Sequence, residues 1–274
     1  MRQILFACCA VLLCPVTSAI AQTGPEPTIV LTLFGGVTSG HSLWHLDRQP
    51  LCVLQRSGSA YNCTPQYDTL ELGRDIGTSL VVGASGSYFP SPHLGAQATI
   101  FYLGFPFDDL CRGVYLNSDP TQMNQQVCGN IAAASLSASA IGFYGGVVVR
   151  VSPRHGISPY LRGGLGIVTY SGGTIEMSGV FDDGSGVLKS RAVYVDDHPK
   201  TTSFSIQPAA GFTARLSPGY QFRFELSDAV IPLQRVVGPA GDLGVPVAGS
   251  RTYHHLIFSM GLDVVLERKR GRRY

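Results

Sequence analysis

Eight stretches of this 274-residue chain alternate apolar and polar side chains with a period of two residues. In residues 220–227, for example, the sequence reads YQFRFELS. This is the period of a β-strand with one apolar and one polar face. The last stretch, residues 255–267, is roughly twice as long as a usual strand of a globular protein. The pattern therefore predicts a sheet of long strands and an all-β fold.

The connections between these strands alternate strictly in length. The predicted strands are residues 28–38, 77–89, 94–106, 133–152, 158–171, 203–216, 220–233 and 255–267. The short connections, which contain Pro or Gly as tight turns do, are residues 90–93, 152–156 and 217–219. The long connections are residues 39–76, 107–132, 172–201 and 233–250. In an up-and-down antiparallel sheet, all long loops then emerge at one end and all tight turns at the other.

The scarcity of charge indicates which strand face meets a membrane. Asp, Glu, Lys and Arg make up 14% of the chain, against about a quarter in soluble proteins. Beyond residue 21 the only lysines are Lys189, Lys200 and Lys269, and none lies on a predicted strand. A soluble barrel would turn charge outward, whereas a membrane barrel turns apolar side chains to lipid. We therefore expect a transmembrane barrel, with a soluble barrel as the alternative.

Seven charged residues fall on the predicted inward faces. An eight-stranded barrel is just wide enough to be filled by side chains, and buried charges must be paired or hydrated. The sequence thus predicts a lumen plugged by ion pairs, and a narrow gated pore is the alternative. The predicted interior charges are Arg150, Arg162, Arg215, Arg223, Glu225, Asp263 and Glu267.

Both ends of the chain carry recognisable segments. Residues 1–21 combine a cationic start, a short apolar run and small residues before Gln22, which is typical of a cleavable secretory signal. The predicted barrel domain is residues 22–267. Residues 268–274, RKRGRRY, form a basic tail that we expect to meet anionic head groups or peptidoglycan on the periplasmic side.

Four cysteines remain once the signal is removed. An even number in an exported chain favours disulfides, and pairing Cys52 with Cys63 and Cys111 with Cys128 is the simplest of three connectivities. The sequence has no CxxC spacing that would favour zinc. No metal and no cofactor are therefore predicted.

The stretch SMGLDVVL, residues 259–266, carries the most specific motif. Ser259, Gly261, Val264 and Leu266 match the signal that outer-membrane barrels present to the barrel-assembly machinery. In strand pattern and in this motif the chain resembles the OmpA- and OmpX-like eight-stranded outer-membrane β-barrel family. The resemblance implies long loops outside the cell, short periplasmic turns, and outer-membrane lipid and lipopolysaccharide as surroundings. The chain departs from the family pattern because it continues beyond this motif to Tyr274.

The resemblance implies a structural, non-enzymatic anchor whose loops contact an extracellular partner. An outer-leaflet lipid-modifying enzyme is the alternative, since His254 and His255 begin the last strand, although no His-x-Ser pair occurs there. Three acidic loop pairs offer oxygen ligands for cations that bridge lipopolysaccharide, and solvated turn residues are the alternative interpretation; the pairs are Asp108-Asp109, Asp182-Asp183 and Asp196-Asp197. There is no nucleic-acid motif or broad basic stripe.

A belt of aromatic residues is expected at the two membrane interfaces. The chain has a single tryptophan, Trp44, so the belt must be built mainly from tyrosine and phenylalanine. The predicted members are Tyr88, Phe89, Tyr160, Tyr220 and Tyr253.

Overall fold

The computed structural model describes residues 27–58, 60–116, 122–151, 156–170, 176–195, 202–239 and 247–267. The predicted signal and basic tail lie outside these ranges. The described elements are β1 (Thr28–Thr38), β2 (His41–Ser57), β3 (Ala60–Ile76), β4 (Ser79–Phe89), β5 (Leu94–Tyr115), α1 (Met123–Ala133), β6 (Ser135–Arg150), β7 (Ile157–Tyr170), β8 (Glu176–Asp182), β9 (Leu188–Val195), β10 (Thr202–Ser217), β11 (Tyr220–Pro239) and β12 (Val247–Glu267).

Eight of the strands close into an antiparallel barrel. Around the barrel the order is β1, β4, β5, β6, β7, β10, β11 and β12, and β12 pairs with β1 to complete the ring. The eight predicted barrel strands are confirmed. Pairing of β11 with β12 continues from Tyr220 opposite Val264 up to Val237 opposite Val247. Most of the predicted loop 233–250 is therefore strand.

The outer surface of the barrel is apolar on every strand. Leu33 on β1, Leu80 on β4 and Leu161 on β7 are each more than 60% exposed, and Phe222 on β11 is 45% exposed. The residues between them point inward because side chains alternate along a strand. A closed barrel with an apolar outer band is the architecture of a transmembrane β-barrel. The predicted transmembrane barrel is confirmed, and the soluble alternative is excluded.

The aromatic belt differs from the prediction. Tyr88 and Tyr220 face outward and are about half exposed. Phe89, Tyr160 and Tyr253 are buried inside the barrel, which corrects their predicted place at the interface. Each of the three occupies an inward position of its strand, and the rings of Phe89 and Tyr160 lie against Gly95 and Gly211.

Three strands are much longer than a membrane requires. A transmembrane β-strand needs about 9–11 residues, whereas β5, β11 and β12 have 22, 20 and 21. Their excess projects at the end with the long loops, which is the extracellular end of such barrels. The β2–β3 hairpin pairs with the projecting part of β5, from Thr69 opposite Tyr115 to Ile76 opposite Phe107.

Two further elements lie at this end of the barrel. In the β8–β9 hairpin, the strand sequences EMSGVF and RAVYV lie on either side of the turn residues DDGSG. Helix α1 was not expected. Its buried side chains include Met123, Val127 and Ile131, which recur every four residues on one face. No helix in the described part of the chain is long and apolar enough to cross a membrane.

Candidate functional site: the filled lumen and the extracellular cap

One buried ion pair crosses the lumen between β7 and β11. Arg162 Nη2 lies 2.6 Å from Glu225 Oε1, and Arg162 Nη1 donates to Gln207 Oε1 at 3.0 Å. The Tyr160 hydroxyl donates to Glu225 Oε2 at 2.8 Å. Both charged side chains are almost fully buried. Because the carboxylate receives donors from both residues of β7, the pair fills the lumen and holds the register of the strands around it.

A second buried pair lies between β11 and β12. Arg223 Nε is 3.2 Å from Asp263 Oδ1, and Thr32 Oγ1 donates to the same carboxylate oxygen at 2.7 Å. The Arg223 guanidinium also lies over the Tyr160 ring, 5.2 Å from its centroid. The two ion pairs thus meet at Tyr160 and form one buried charged layer inside the barrel.

The periplasmic end of the lumen is apolar. Val30, Phe89, Val148 and Tyr160 form a buried cluster. The guanidinium of Arg150 lies 3.5 Å from the Phe89 ring centroid, a cation–π contact. The charge of Arg150 therefore lies against an aromatic face inside the barrel.

Two of the seven predicted interior charges, Arg215 and Glu267, lie near the ends of their strands. Arg215 has the inward register of β10, but its side chain is exposed, which corrects its predicted burial. The reason is position: Arg215 lies two residues before the end of β10, at the tight-turn rim beyond the layer that side chains fill. Glu267 ends β12. Its side chain lies outside the described part of the structure.

An aromatic layer lies above the ion pairs. Phe101 and Tyr144 stack with ring centroids 5.5 Å apart and an interplanar angle of 14°. The Tyr144 hydroxyl is 2.8 Å from Ser205 Oγ. At Gly166 an added Cβ would come within 2.8 Å of the Tyr144 ring, so the glycine makes room for it. Phe34 reaches the same layer from β1, packed against the buried core.

The top of the lumen is continuous with the core of what we call the extracellular cap. The cap comprises β2, β3, α1, β8, β9 and the part of β5 beyond Pro106. A single buried cluster contains Leu103 and Ile257 of the barrel together with Leu70 and Val127 of the cap. Trp44 is buried in this cluster and stacks on Tyr194, with ring centroids 4.7 Å apart. The cap therefore covers the lumen with an apolar core.

Two disulfides hold the cap elements together. Cys52 on β2 is bonded to Cys63 on β3, and Cys111 on β5 is bonded to Cys128 on α1. Their Cα separations of 5.4 and 5.0 Å lie within the usual range for disulfides. The predicted pairing is confirmed. The second bond is the covalent tie between the helix and the projecting barrel strand.

A buried polar network joins four cap elements at Arg191. This residue of β9 donates from Nη2 to the carbonyl of Cys52 at 3.0 Å and from Nη1 to Asn124 Oδ1. Asn124 on α1 donates from Nδ2 to Asp68 Oδ2 on β3 at 2.7 Å. Sequence reasoning missed this network because Arg191, Asn124 and Asp68 are far apart in the chain, and no local pattern relates them.

Breaking the Cys111–Cys128 bond should loosen the cap without opening the barrel. We expect the double variant Cys111→Ser, Cys128→Ser to lower cap stability by about 2–4 kcal/mol, the usual contribution of a disulfide. The measurement is urea unfolding followed by Trp44 fluorescence, since this buried residue is the single tryptophan. The barrel's faster migration on unheated gels is the control and should be unchanged. Unshifted Trp44 unfolding would contradict the role given to this bond.

The acidic loop pairs are used within the cap. Arg74 binds Asp109 through two contacts, of 2.5 and 2.6 Å. Asp182 Oδ1 accepts the backbone N–H of Gly184 and Gly186. Hydrogen bonds from Ser185 and Tyr61 hold the pKa of the Asp183 carboxyl well below its usual range. Among the described residues, no three potential metal ligands cluster.

A third acidic pair, Asp196-Asp197, lies outside the described ranges. In the two pairs that the structure describes, the carboxylates of Asp109, Asp182 and Asp183 already have protein partners.

The two histidines on which the enzyme alternative depends lie in different environments. His254 faces outward, with Nδ1 2.7 Å from Asp228 Oδ2. His255 is buried, and its ring lies 4.5 Å from that of His41. Ser205 on β10 bonds to Tyr144 and to the carbonyl of Val230.

The four residues of the predicted assembly signal all lie on β12. Ser259 is buried in the lumen and Leu266 faces outward, with Gly261 and Val264 between them. Recognition of this segment by the assembly machinery stays a prediction.

Several solved membrane barrels align with most of the described chain. No protein-family model matches the sequence, and no curated protein matches it significantly. OprG from Pseudomonas aeruginosa aligns with a TM-score of 0.49 at 9% identity, covering 89% of this chain and 98% of that chain. The outer-membrane protein AlkL aligns with a TM-score of 0.38 at 14% identity, covering 94% of this chain and 97% of that chain. Neisserial surface protein A aligns with a TM-score of 0.38 at 9% identity, covering 86% of this chain and 96% of that chain.

At these scores the assignment rests on the barrel itself. The chain is an integral outer-membrane protein, an eight-stranded antiparallel barrel with an apolar outer band and a filled lumen. Closed barrels of this kind span outer membranes because every backbone polar group is paired within the ring.

Proposed function

We propose that this protein is a structural, non-enzymatic barrel that anchors a compact extracellular cap in the outer membrane. The observation that carries the proposal is the filling of the lumen. From the periplasmic end upward it holds an apolar layer, a charged layer, an aromatic layer and the cap core. A molecule that used its lumen for transport would need open space along this axis.

The cap is the part suited to contact with a partner. Apolar side chains are exposed on its surface at the end of β5, including Val114 and Tyr115, and at Val187 and Leu188 beside β9. The disulfides, the Arg191 network and the Arg74–Asp109 pair keep the cap in one shape, so binding there would cost little ordering entropy.

The lumen should not conduct ions. We expect the purified wild-type protein to give no discrete current steps in planar bilayers, because Arg162–Glu225 and Arg223–Asp263 are buried inside the barrel. The measurement is single-channel recording after reconstitution, with a general porin as the positive control. Protein that is inserted, as shown by its faster unheated gel band, but gives reproducible steps would favour the narrow gated pore instead.

A further inference from the structure

One sulfur of the Cys52–Cys63 disulfide lies against a cation. Arg191 Nη2 is 3.2 Å from Cys52 Sγ, and the same nitrogen donates to the Cys52 carbonyl. Burial lowers the pKa of the Arg191 guanidinium to about 10, so the group is still a cation at neutral pH. A neighbouring cation favours the thiolate form of a cysteine over the thiol. Cys52 is therefore placed to carry negative charge when the disulfide opens.

The two sulfurs also differ in access. Cys52 is 7% exposed, whereas Cys63 belongs to the exposed residues of β3. Thiol–disulfide exchange is fastest when an incoming thiolate reaches the accessible sulfur and expels the thiol of lower pKa. In the Cys52–Cys63 disulfide, both conditions favour the same direction of exchange. Attack takes place at Cys63, and Cys52 departs.

We propose that Cys52–Cys63 is an exchange site for low-mass thiols at the cell surface, with Cys63 as the sulfur attacked and Cys52 as the leaving group paired with Arg191. The incoming thiol loses its proton to solvent, and its sulfur forms a bond to Cys63 Sγ. The bond between Cys63 and Cys52 breaks, and its electron pair remains on Cys52 Sγ. One disulfide is replaced by another, so the step needs no oxidant or reductant beyond the thiol.

The second disulfide provides a comparison within the same molecule. Cys111 and Cys128 are both buried, at 8% and 3% exposed, in the core between β5 and α1. Neither sulfur is presented to solvent as Cys63 is. Opening of Cys52–Cys63 would release the β2–β3 hairpin from its covalent tie while the tie between α1 and β5 stays intact.

The test uses the full-length protein in detergent with reduced glutathione as the probe. After a timed reaction, free thiols are alkylated and each cysteine is assigned by peptide mass spectrometry. We expect glutathione on Cys63, an alkylated Cys52, and opening at least about tenfold faster than at Cys111–Cys128. Glutathione on Cys52, or equal opening of the two bonds, would overturn the proposal. This measurement needs no variant and stands on its own.

Two variants separate the charge of Arg191 from its packing. Removing the cation raises the pKa of the departing thiol, so Arg191→Met should slow exchange about tenfold, while Arg191→Lys should stay within about threefold of wild type. A merely structural Arg191 gives the opposite sign, because a loosened cap exposes the disulfide and speeds the reaction. Exchange in Arg191→Met that matches or exceeds the wild-type rate would therefore refute the assigned role.

Discussion

Replacing Glu225 with Gln should destabilise the barrel by about 3–5 kcal/mol, the usual cost of leaving one member of a buried ion pair without its partner. The cause is Arg162, which is buried and has its 2.6 Å contact to the Glu225 carboxylate. The Gln side chain keeps the size of Glu but not its charge. The measurement is the urea concentration at which the fast, unheated gel band is lost from protein in detergent micelles.

Glu71→Gln is the matched control for this variant. Glu71 is 17% exposed, and its carboxylate pairs on the cap surface with Arg112, which is 70% exposed, and with His45, which is 45% exposed. Exposed pairs contribute about 0–1 kcal/mol, so the same substitution should barely move the unfolding midpoint. Equal effects of the two substitutions would contradict the distinction between a buried plug and a surface pair.

A double variant that removes both charges tests the same buried ion pair. Removing both charges, as Arg162→Met with Glu225→Leu, leaves no unpaired buried ion, and such replacements are often neutral. We expect this protein to be more stable than Glu225→Gln alone. A double variant that is less stable would show that the pair contributes through Tyr160 and Gln207 more than through its charge.

Replacing Gly166 with Val should cost about 3 kcal/mol or more and remove most of the compact gel band, because overpacking a filled core forces the surroundings to move. An added Cβ at Gly166 would overlap the carbonyl of Phe143 and come within 2.8 Å of the Tyr144 ring. Backbone of the neighbouring strand cannot rotate away as the end of a side chain can. The yield of heat-modifiable protein in outer-membrane extracts measures the effect.

Gly163→Val provides a control on the same strand. Gly163 also lies on β7, yet a Cβ added there meets nothing within 4 Å. Its odd offset from Gly166 places it on the opposite face of the strand, toward lipid. Valine favours strands and lipid-facing surface, so this variant should assemble at the wild-type level. Failure of both variants alike would mean that β7 tolerates no side chain for reasons other than the aromatic layer.

The barrel could be read from the sequence because its signal is local. Period-two alternation in β11 and β12 identifies strands, and the scarcity of lysine identifies which face meets lipid. The same alternation placed Arg162, Arg223, Glu225 and Asp263 on inward faces. What alternation cannot supply is position along the barrel axis, which is why the predicted burial of Arg215 and the predicted interfacial place of Phe89 needed correction.

The cap could not be read in this way. Helix α1 has an N-cap residue, Gln122, without a side-chain capping bond, and its buried face depends on packing against β8 and on the disulfide to β5. The β2–β3 hairpin contains register shifts that interrupt simple alternation. Such elements are stabilised mainly by tertiary contacts, so their sequences carry weak local preferences.

By itself the sequence determined the number of barrel strands, the sides on which long loops and tight turns lie, the lipid-facing surface and the four cysteines available for bonding. Only the tertiary structure decided which charges pair, that Phe34, Phe101 and Tyr144 fill the lumen, and that Arg191 reaches Cys52. The reason is physical. Strand periodicity is a property of neighbours along the chain, whereas pairing in a lumen depends on the register and curvature of strands that are distant in sequence.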